Sequence, residues 1–351
     1  MFQRIIQFAV ANRLLLVLAL FGISIASFFV IPKLNLDAFP DVTNVQVTVN
    51  TEAPGLAATE VEQLITYPIE SVMYALPDVE EVRSISKTGL SGITVGFDES
   101  VDIYFARQLV FERLQAAKEL IPEGVGTPEM GPNSSGLGQV YQYLLVADPD
   151  SGVTSMELRS LNDYVVKLLL MPVEGITEVL SFGGEVKQYQ VNLNPAKLLS
   201  YELTQQDVMD AVNKNNGNVG GWYMPRGQEQ LVIRGTGWLA NGDKGLQQLR
   251  QIPLKTVDGV SVTLGQVATV EVGSEIRQGA VSMSRKVDGQ VNQLGEVVSG
   301  IVLKRMGSNT KATIDGIKKR IPLIQQALPE GVTFEPYYDQ ADLIQKAVST
   351  V

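Results

Sequence analysis

Between Arg13 and Lys33 the chain carries no charged residue, and the segment Leu14–Ile31 is almost wholly apolar. It reads Leu-Leu-Leu-Val-Leu-Ala-Leu-Phe, then Gly22, then Ile-Ser-Ile-Ala-Ser-Phe-Phe-Val-Ile. About 18 to 20 such residues, at 1.5 Å rise each, cross a hydrocarbon core of roughly 30 Å. No water satisfies backbone groups there, so the segment must be helical. A secretory signal peptide would be shorter and end in a small-residue cleavage site. Ile31-Pro32-Lys33-Leu34 offers none. A core helix of a soluble body is rarely apolar on every face over this length. The segment therefore predicts a membrane-spanning helix that tethers the rest of the chain to a lipid bilayer. Arg4 and Arg13 precede it, and Asp37 and Asp41 follow it. Positive residues favour the cytoplasmic side, which puts the N-terminus inside and the main body outside. Phe2, Ile5, Ile6 and Ala9 share a helical face, the pattern of a short helix lying on the inner interface.

The body reads as folded. Of 351 residues, 45 % are hydrophobic and 19 % charged, and the net charge is −10. No basic block stands out, which argues against a nucleic-acid partner. Cysteine is absent, so disulfides, thiolate metal sites and cysteine nucleophiles are excluded together. Histidine is absent too, which removes the commonest general base and metal ligand. Any metal chemistry must use Asp, Glu, Met or amides. There is no phosphate loop, nucleophile elbow or zinc spacing. Glu80 and Glu81 are adjacent on an expected strand and point to opposite faces. No enzyme activity and no cofactor are expected.

Two α/β repeats are legible. Val45, Val47 and Val49 alternate with polar residues, the period of a strand with one buried face. Val61, Leu64, Ile65, Val72 and Leu76 then form a helical stripe. Strands follow near Val79–Ser86 and Ile93–Phe97, joined by a turn around Gly89 to Gly92. A helix carries Ile103, Ala106, Val110, Leu114, Ala117 and Ile121 on one face, and a last strand falls between Val125 and Pro132. This is the split βαβ, ferredoxin-like order. The order restarts with a strand near Val140–Ala147, a helix over Ser155–Leu170 and a strand over Thr177–Phe182. It resumes with a long strand, Val291–Lys304, a helix capped near Asn309 and a closing strand, Thr333–Tyr338. The predicted fold class is thus an α+β membrane protein. It has one transmembrane helix and two ferredoxin-like sandwiches, the second interrupted by an α/β insert of roughly a hundred residues, as surface loops tolerate. The two sandwiches look like a duplication.

Within the insert, Gln188–Leu193 reads as a strand and Thr204–Asn213 as a short helix. Lys214 to Gly221 is rich in Asn and Gly, a flexible turn signal. Asn216, Gly217, Gly220, Gly221, Trp222 and Tyr223 together read as an exposed arm. Trp222 and Tyr223 supply the aromatic anchors that interfaces favour. Gly131 to Gly138 is a shaped linker between the sandwiches. Met130 and Met283 stand at the edges of the expected domains and are weak soft-metal candidates. Other methionines, such as Met156 and Met209, fall within helices and read as packing residues.

Several ordered segments carry a family resemblance. They are Asp37-Ala-Phe-Pro-Asp41-Val-Thr-Asn-Val-Gln-Val, Ala53-Pro-Gly, Glu60-Val-Glu62-Gln and Tyr67-Pro-Ile-Glu70. Asp102-Ile-Tyr-Phe-Ala-Arg107-Gln-Leu-Val, Gly136-Leu-Gly-Gln139, Asn216-Gly-Asn-Val-Gly-Gly221 and Glu229-Gln-Leu-Val-Ile-Arg234 follow in order. Over essentially its whole length the chain resembles the N-terminal third of heavy-metal efflux pumps of the resistance–nodulation–division superfamily, of the cobalt–zinc–cadmium and copper–silver type. The resemblance implies a trimeric, proton-driven pump of the bacterial inner membrane, with its body in the periplasm. It also implies a periplasmic adaptor and an outer-membrane channel as partners. It divides the chain into an interfacial and transmembrane part (1–33), a first porter subdomain (34–134) and a second (135–184 and 283–338). A docking subdomain (185–282) carries an arm that reaches a neighbouring protomer, and 339–351 leads into a second span. The proton-relay carboxylates and cleft methionines of such pumps would lie beyond Val351, so this portion alone has no proton path. Some zinc-type relatives carry an acidic residue after Gly-Leu-Gly. Here that position is Gln139, a departure that puts a divalent-metal site there in doubt and leaves Gln139 only a weak metal candidate. A drug-type pump of the same superfamily is the neighbouring reading. A membrane-tethered binding or assembly module without transport is the reading from another class.

Overall fold

The computed structural model describes residues 10–30 and 43–350, apart from 258, 278 and 288. The interfacial helix expected over residues 1–9 and the stretch 31–42 lie outside the described residues. The apolar run forms helix α1 (Arg13–Val30), 18 residues long. Leu14, Val17, Leu18, Leu20, Phe21 and Ile23 are between 62 % and 73 % exposed in the chain by itself. Among the described residues, no helix is long and apolar enough to cross a membrane. The described helix opens on the charged Arg13, and Ile31 falls outside the described set.

The body begins with β1 (Gln46–Glu52) and α2 (Ala58–Val61), which widens into a π-helical turn (Glu62–Thr66) and continues as α3 (Tyr67–Met73). Next come β2 (Val79–Lys87), β3 (Leu90–Phe97), α4 (Ile103–Lys118) and β4 (Thr127–Met130). Strand order in the sheet is β2-β3-β1-β4, all antiparallel. The β2–β3 turn is tighter than expected, with Gly89 at a φ of 75° and β3 already begun at Leu90. Val47 and Val49 point inward and are fully buried, while Asn50 and Glu52 on the other face are exposed. Asp102 caps α4, its carboxylate accepting from the Tyr104 and Phe105 amides at 2.9 and 3.1 Å. Such a cap satisfies two amides that the first helical turn leaves without partners. Ala106, Val110, Leu114 and Ala117 form the buried stripe of α4.

The second repeat opens with β5 (Gln139–Ala147) and α5 (Ser155–Leu161), again running through a π-helical turn (Asn162–Val166) into α6 (Lys167–Leu170), then β6 (Ile176–Phe182). The insert follows: β7 (Lys187–Leu193), α7 (Pro195–Ser200), α8 (Gln205–Lys214), β8 (Val219–Arg226), β9 (Glu229–Gly235) and α9 (Asp243–Arg250). It continues with β10 (Pro253–Val257), β11 (Val260–Thr263), α10 (Leu264–Val267), β12 (Ala268–Ser274), β13 (Ser282–Val287) and β14 (Gln290–Glu296). The chain then completes the repeat with β15 (Val298–Lys304), α11 (Thr310–Ala327), β16 (Val332–Asp339) and α12 (Gln340–Thr350). This second four-stranded sheet runs β16-β5-β15-β6, the order of the first sheet when strands are counted within each repeat.

The chain divides into two compact units: Met1–Gly152, Leu161–Phe182 and Val297–Val351 in one, and Val153–Ser160 with Gly183–Glu296 in the other. The single strand expected over Val291–Lys304 is therefore two strands. β14 pairs with its hairpin partner β13, whereas β15 pairs with β5 and β6. Gly295, at a φ of 72°, stands just before the break.

In the first unit each sandwich buries a polar knot beside its π-helical turn. Thr66 Oγ1 lies 2.8 Å from both Ser86 Oγ and Ser91 Oγ. In the second repeat Tyr143 Oη donates to Asn162 Oδ1 at 2.8 Å, and Asn162 Nδ2 donates to Ser181 Oγ at 2.8 Å. Ser181 Oγ in turn donates to Asp163 Oδ1 at 2.5 Å. A π turn inserts one residue into a helix and rotates the faces beyond it, so a polar side chain that an unbroken helix would aim elsewhere meets the sheet.

The turn before the second strand differs between repeats. Asp78 precedes β2 with a φ of 58°, while Gly175, at 89°, precedes β6. Left-handed backbone strains a residue with a Cβ and leaves glycine unstrained. Asp78→Gly is expected to stabilise the chain by about 0.5–1 kcal/mol in urea melts, strain relief outweighing the added freedom of the unfolded chain. A loss of stability would show that Asp78 is held there by its side chain.

At the far end of this unit Lys318 Nζ contacts Asp339 Oδ2 at 2.5 Å, and Asp339 Oδ1 accepts from the Ala341 amide at 2.8 Å. Asp339 thus ties α11 to the start of α12. Its hydrogen bond holds the Lys318 pKa above the ordinary lysine value, with burial opposing. Stability from a raised lysine is fully present below its unfolded pKa and lost as pH rises through the folded one. The melting temperature of the native chain should therefore fall on the alkaline side of the lysine range. Asp339→Asn should flatten that fall, and an unchanged alkaline profile would contradict the coupling.

The second unit has its own core. Leu198, Leu203, Val208, Leu246, Leu249, Leu264 and Val270 cluster in it. Thr204 caps α8, and the Thr204 amide donates back to Asp207 at 2.8 Å. β7 pairs with β12, and β8 with β9. Arg277 forms ion pairs with Glu185 and Glu296, tying the end of β14 to the lead of β7.

Candidate functional site

The linker after β4 is pinned from both sandwiches. The Gly131 amide donates to Thr48 O at 2.8 Å, and Arg107 Nη1 on α4 donates to Gly131 O at 2.9 Å. A Cβ at Gly131 would overlap Thr48 Oγ1, which is why glycine stands there. Two residues on, Asn133 O accepts from Thr177 Oγ1 on β6 and from the Met306 amide, each at 3.3 Å.

This junction borders an open cavity of about 810 Å³, whose wall includes Glu52, Arg107, Glu129, Met130, Asn133 and Glu178. Burial lowers the Arg107 pKa from its ordinary value, though a guanidinium stays charged. Three carboxylates against one guanidinium leave the wall acid-biased. Both amide atoms of Asn133 are buried without a hydrogen-bond partner. Such an orphaned group costs about 1–3 kcal/mol, so the linker retains polarity at the expense of stability.

Of the weak metal candidates, Met130 ends β4, lines this cavity and packs partly against the first core. Gln139 opens β5, is exposed and accepts from Gln142 Nε2 at 3.2 Å. Met283 stands on β13 in the second unit. Among the described residues no group of three or more His, Cys, Asp or Glu could hold a metal ion. Arg107 and Asn133 were not singled out by spacing. Arg107 sits on the polar face of α4 and Asn133 within a turn-rich linker, and only the fold brings them together.

The arm is a two-stranded hairpin exposed along its whole length. Trp222 is 85 % and Tyr223 57 % exposed. Asn216 and Gly217 lie in the loop after α8, whereas Gly220, Gly221, Trp222 and Tyr223 are on β8. The glycine cluster is thus at the root of the hairpin and not at its tip. The tip is Gly227, at a φ of 66°. At the root the Gly237 amide donates to Asn218 Oδ1 at 3.1 Å.

Two sandwiches of identical strand order, the second interrupted by a unit bearing a long bare hairpin, define an α+β protein built by repetition. The family model described as the AcrB/AcrD/AcrF family matches residues 5–351, and the chain belongs to that family. It is 42 % identical over 357 residues to a cation efflux system protein CzcA from Alcaligenes sp., covering 100 % of this chain and 32 % of that one. It is 34 % identical over 352 residues to the cation efflux system protein CusA of Escherichia coli, again covering 100 % of this chain and 32 % of the relative. A crystal structure of a heavy metal efflux pump superposes with a TM-score of 0.83 at 28 % identity, over 98 % of this chain and 33 % of the other. The chain thus spans about a third of the length of the relatives it matches.

Proposed function

We propose that this chain is the N-terminal porter and docking portion of a proton-driven heavy-metal efflux transporter of the bacterial inner membrane. The observation that carries the reading is the match over the full chain to proteins named for cation efflux. In this reading α1 spans the bilayer with the N-terminus in the cytoplasm, and the two sandwiches and the insert lie in the periplasm. The first sandwich is the first porter subdomain, and β5 to β6 with β15 to β16 is the second. The insert is the docking subdomain, with the return into the second sandwich at Val297. Its arm holds a neighbouring protomer of a trimer through Trp222 and Tyr223, and an adaptor and outer-membrane channel complete the path. The acid-biased junction cavity is suited to passing cations.

The test is growth. The full-length gene, in a host stripped of its own exporters, is expected to restore growth in cobalt, zinc, cadmium, copper or silver salts and not in lipophilic drugs. Protection against drugs alone would favour the drug-type reading. Membrane-bound protein without any protection would favour the tethered module.

The arm allows a separate test. Every residue of β8 and β9 is exposed, and Asn218 meets Gly237 at the root. Excising 219–235 should leave the melting temperature within about 2 °C, since no buried contact is lost. In the full-length protein the excision should lower trimer occupancy in native mass measurements, because aromatic anchors carry much of an interface. A trimer that survives intact would remove the arm from the interface.

A further inference from the structure

Two Asn-Gly dipeptides occur in the second unit, Asn216-Gly217 and Asn241-Gly242. Glycine after asparagine leaves the backbone nitrogen unshielded, because no Cβ stands beside it. That nitrogen can attack the asparagine side chain only if its N–H is not committed elsewhere and the local backbone can bend.

The two sites differ on both counts. The Gly242 amide donates to Tyr189 Oη at 2.8 Å, and Gly242 caps α9 with a φ of 69°. A Cβ at Gly217 would meet no atom within 4 Å, and its φ is not left-handed. Among the described residues no group accepts its N–H or bonds the Asn216 side chain. The flanking asparagines are tied down: Asn215 Nδ2 donates to Ala211 O at 2.8 Å, and Asn218 Oδ1 accepts from Gly237. Asn218 is also followed by the β-branched Val219.

We propose that Asn216 is a site of spontaneous deamidation in the folded protein, and that Asn241 is protected. The Gly217 nitrogen loses its proton and forms a bond to Asn216 Cγ. The Cγ–Nδ2 bond breaks, and the side-chain nitrogen takes up a proton and leaves as ammonia. The five-membered succinimide that results adds one water at either carbonyl. Opening at Cγ returns aspartate, and opening at the backbone carbonyl gives isoaspartate. No oxidant or cofactor takes part. The product puts a new carboxylate at the root of the arm, and in isoaspartate also one extra backbone methylene. The chemistry does not depend on the transport reading.

The test is peptide mapping. The full chain in detergent is incubated at mildly alkaline pH, folded or denatured, and digested with trypsin. Cleavage after Lys214 and Arg226, and after Arg234 and Lys244, puts the two sites on separate peptides. In denaturant both should convert at similar rates. In the folded chain Asn216 should keep a rate within a few-fold of the denatured one, while Asn241 slows by about tenfold or more, since its reaction awaits local opening. Gly217→Ala should slow Asn216 by about tenfold without changing the melting temperature, because its Cβ enters open space. Tyr189→Phe should speed Asn241. Equal protection of both sites in the folded chain, or an Asn216 rate indifferent to Gly217→Ala, would overturn the proposal. An Asn241 rate unmoved by Tyr189→Phe would overturn the hydrogen-bond protection on which the ranking rests.

Discussion

Tyr143→Ala is expected to cost about 3–5 kcal/mol of stability, the range for deleting a buried aromatic ring. Tyr143 is fully buried on β5. Its ring stacks on Phe334 of β16, centroids 4.3 Å apart and planes at 24°. It also lies across Gly300 of β15, where a Cβ would run into the ring. Glycine in a central strand marks such a close approach, so the ring fills space that no neighbour can reclaim. Burial first, and the nearby Asp163 second, push the phenol pKa well up, so the hydroxyl stays protonated and donates to Asn162. Removing it strands the buried Asn162 carbonyl. Tyr143→Phe, which keeps the ring, should cost only about 1–3 kcal/mol from that orphaned acceptor. Urea midpoints at constant slope would measure both. An alanine variant within about 1 kcal/mol of the parent would mean that the second sandwich does not depend on this residue.

The sandwiches were legible because their signals are local. Val47 and Val49 alternate with polar neighbours, Asp102 and Asn309 stand where caps are needed, and the stripe from Ala106 to Ala117 keeps helical spacing. The misread elements depend on partners far away in sequence. Val291–Lys304 has strand composition throughout, and composition does not say that β14 belongs to β13 while β15 belongs to β5 and β6. The glycines before Trp222 read as a flexible turn, and turn signals carry no address. The hairpin turn is instead supplied by Gly227, between β8 and β9. The π-helical turns left a trace that periodicity alone does not decode. Thr66 and Asn162 are buried polar residues on otherwise apolar stripes. The junction was legible as a linker that could border a cleft, but not the residues that line the cavity there. Met130 was visible at a domain edge, but Arg107 reaches Gly131 across 24 positions and Thr177 reaches Asn133 across 44.

Leu18→Arg is expected to abolish stable membrane attachment under the proposed reading. Leu18 lies within α1, where the described chain is uncharged from residue 14 to residue 30. Eighteen helical residues extend about 27 Å, near the roughly 30 Å hydrocarbon thickness. The exposed Leu14, Val17, Leu18 and Phe21 find no covering element among the described residues. A lipid phase would cover them, and exposed apolar surface of that extent marks a membrane or partner contact. A polar contact along the helix suits hydrocarbon: Ser24 Oγ donates to Leu20 O at 2.9 Å, so the hydroxyl needs no water. Arginine near the centre of such a helix costs about 3 kcal/mol on insertion scales. That is roughly a hundredfold shift out of the membrane, too large for one flanking residue to offset. Leu18→Ala, which keeps the helix apolar, should remain in the membrane pellet after alkaline extraction, while Leu18→Arg should move to the soluble or degraded fraction. An arginine variant that stays in the pellet at the parent level would show that α1 is held by other helices of the assembly, and not by its own apolar surface.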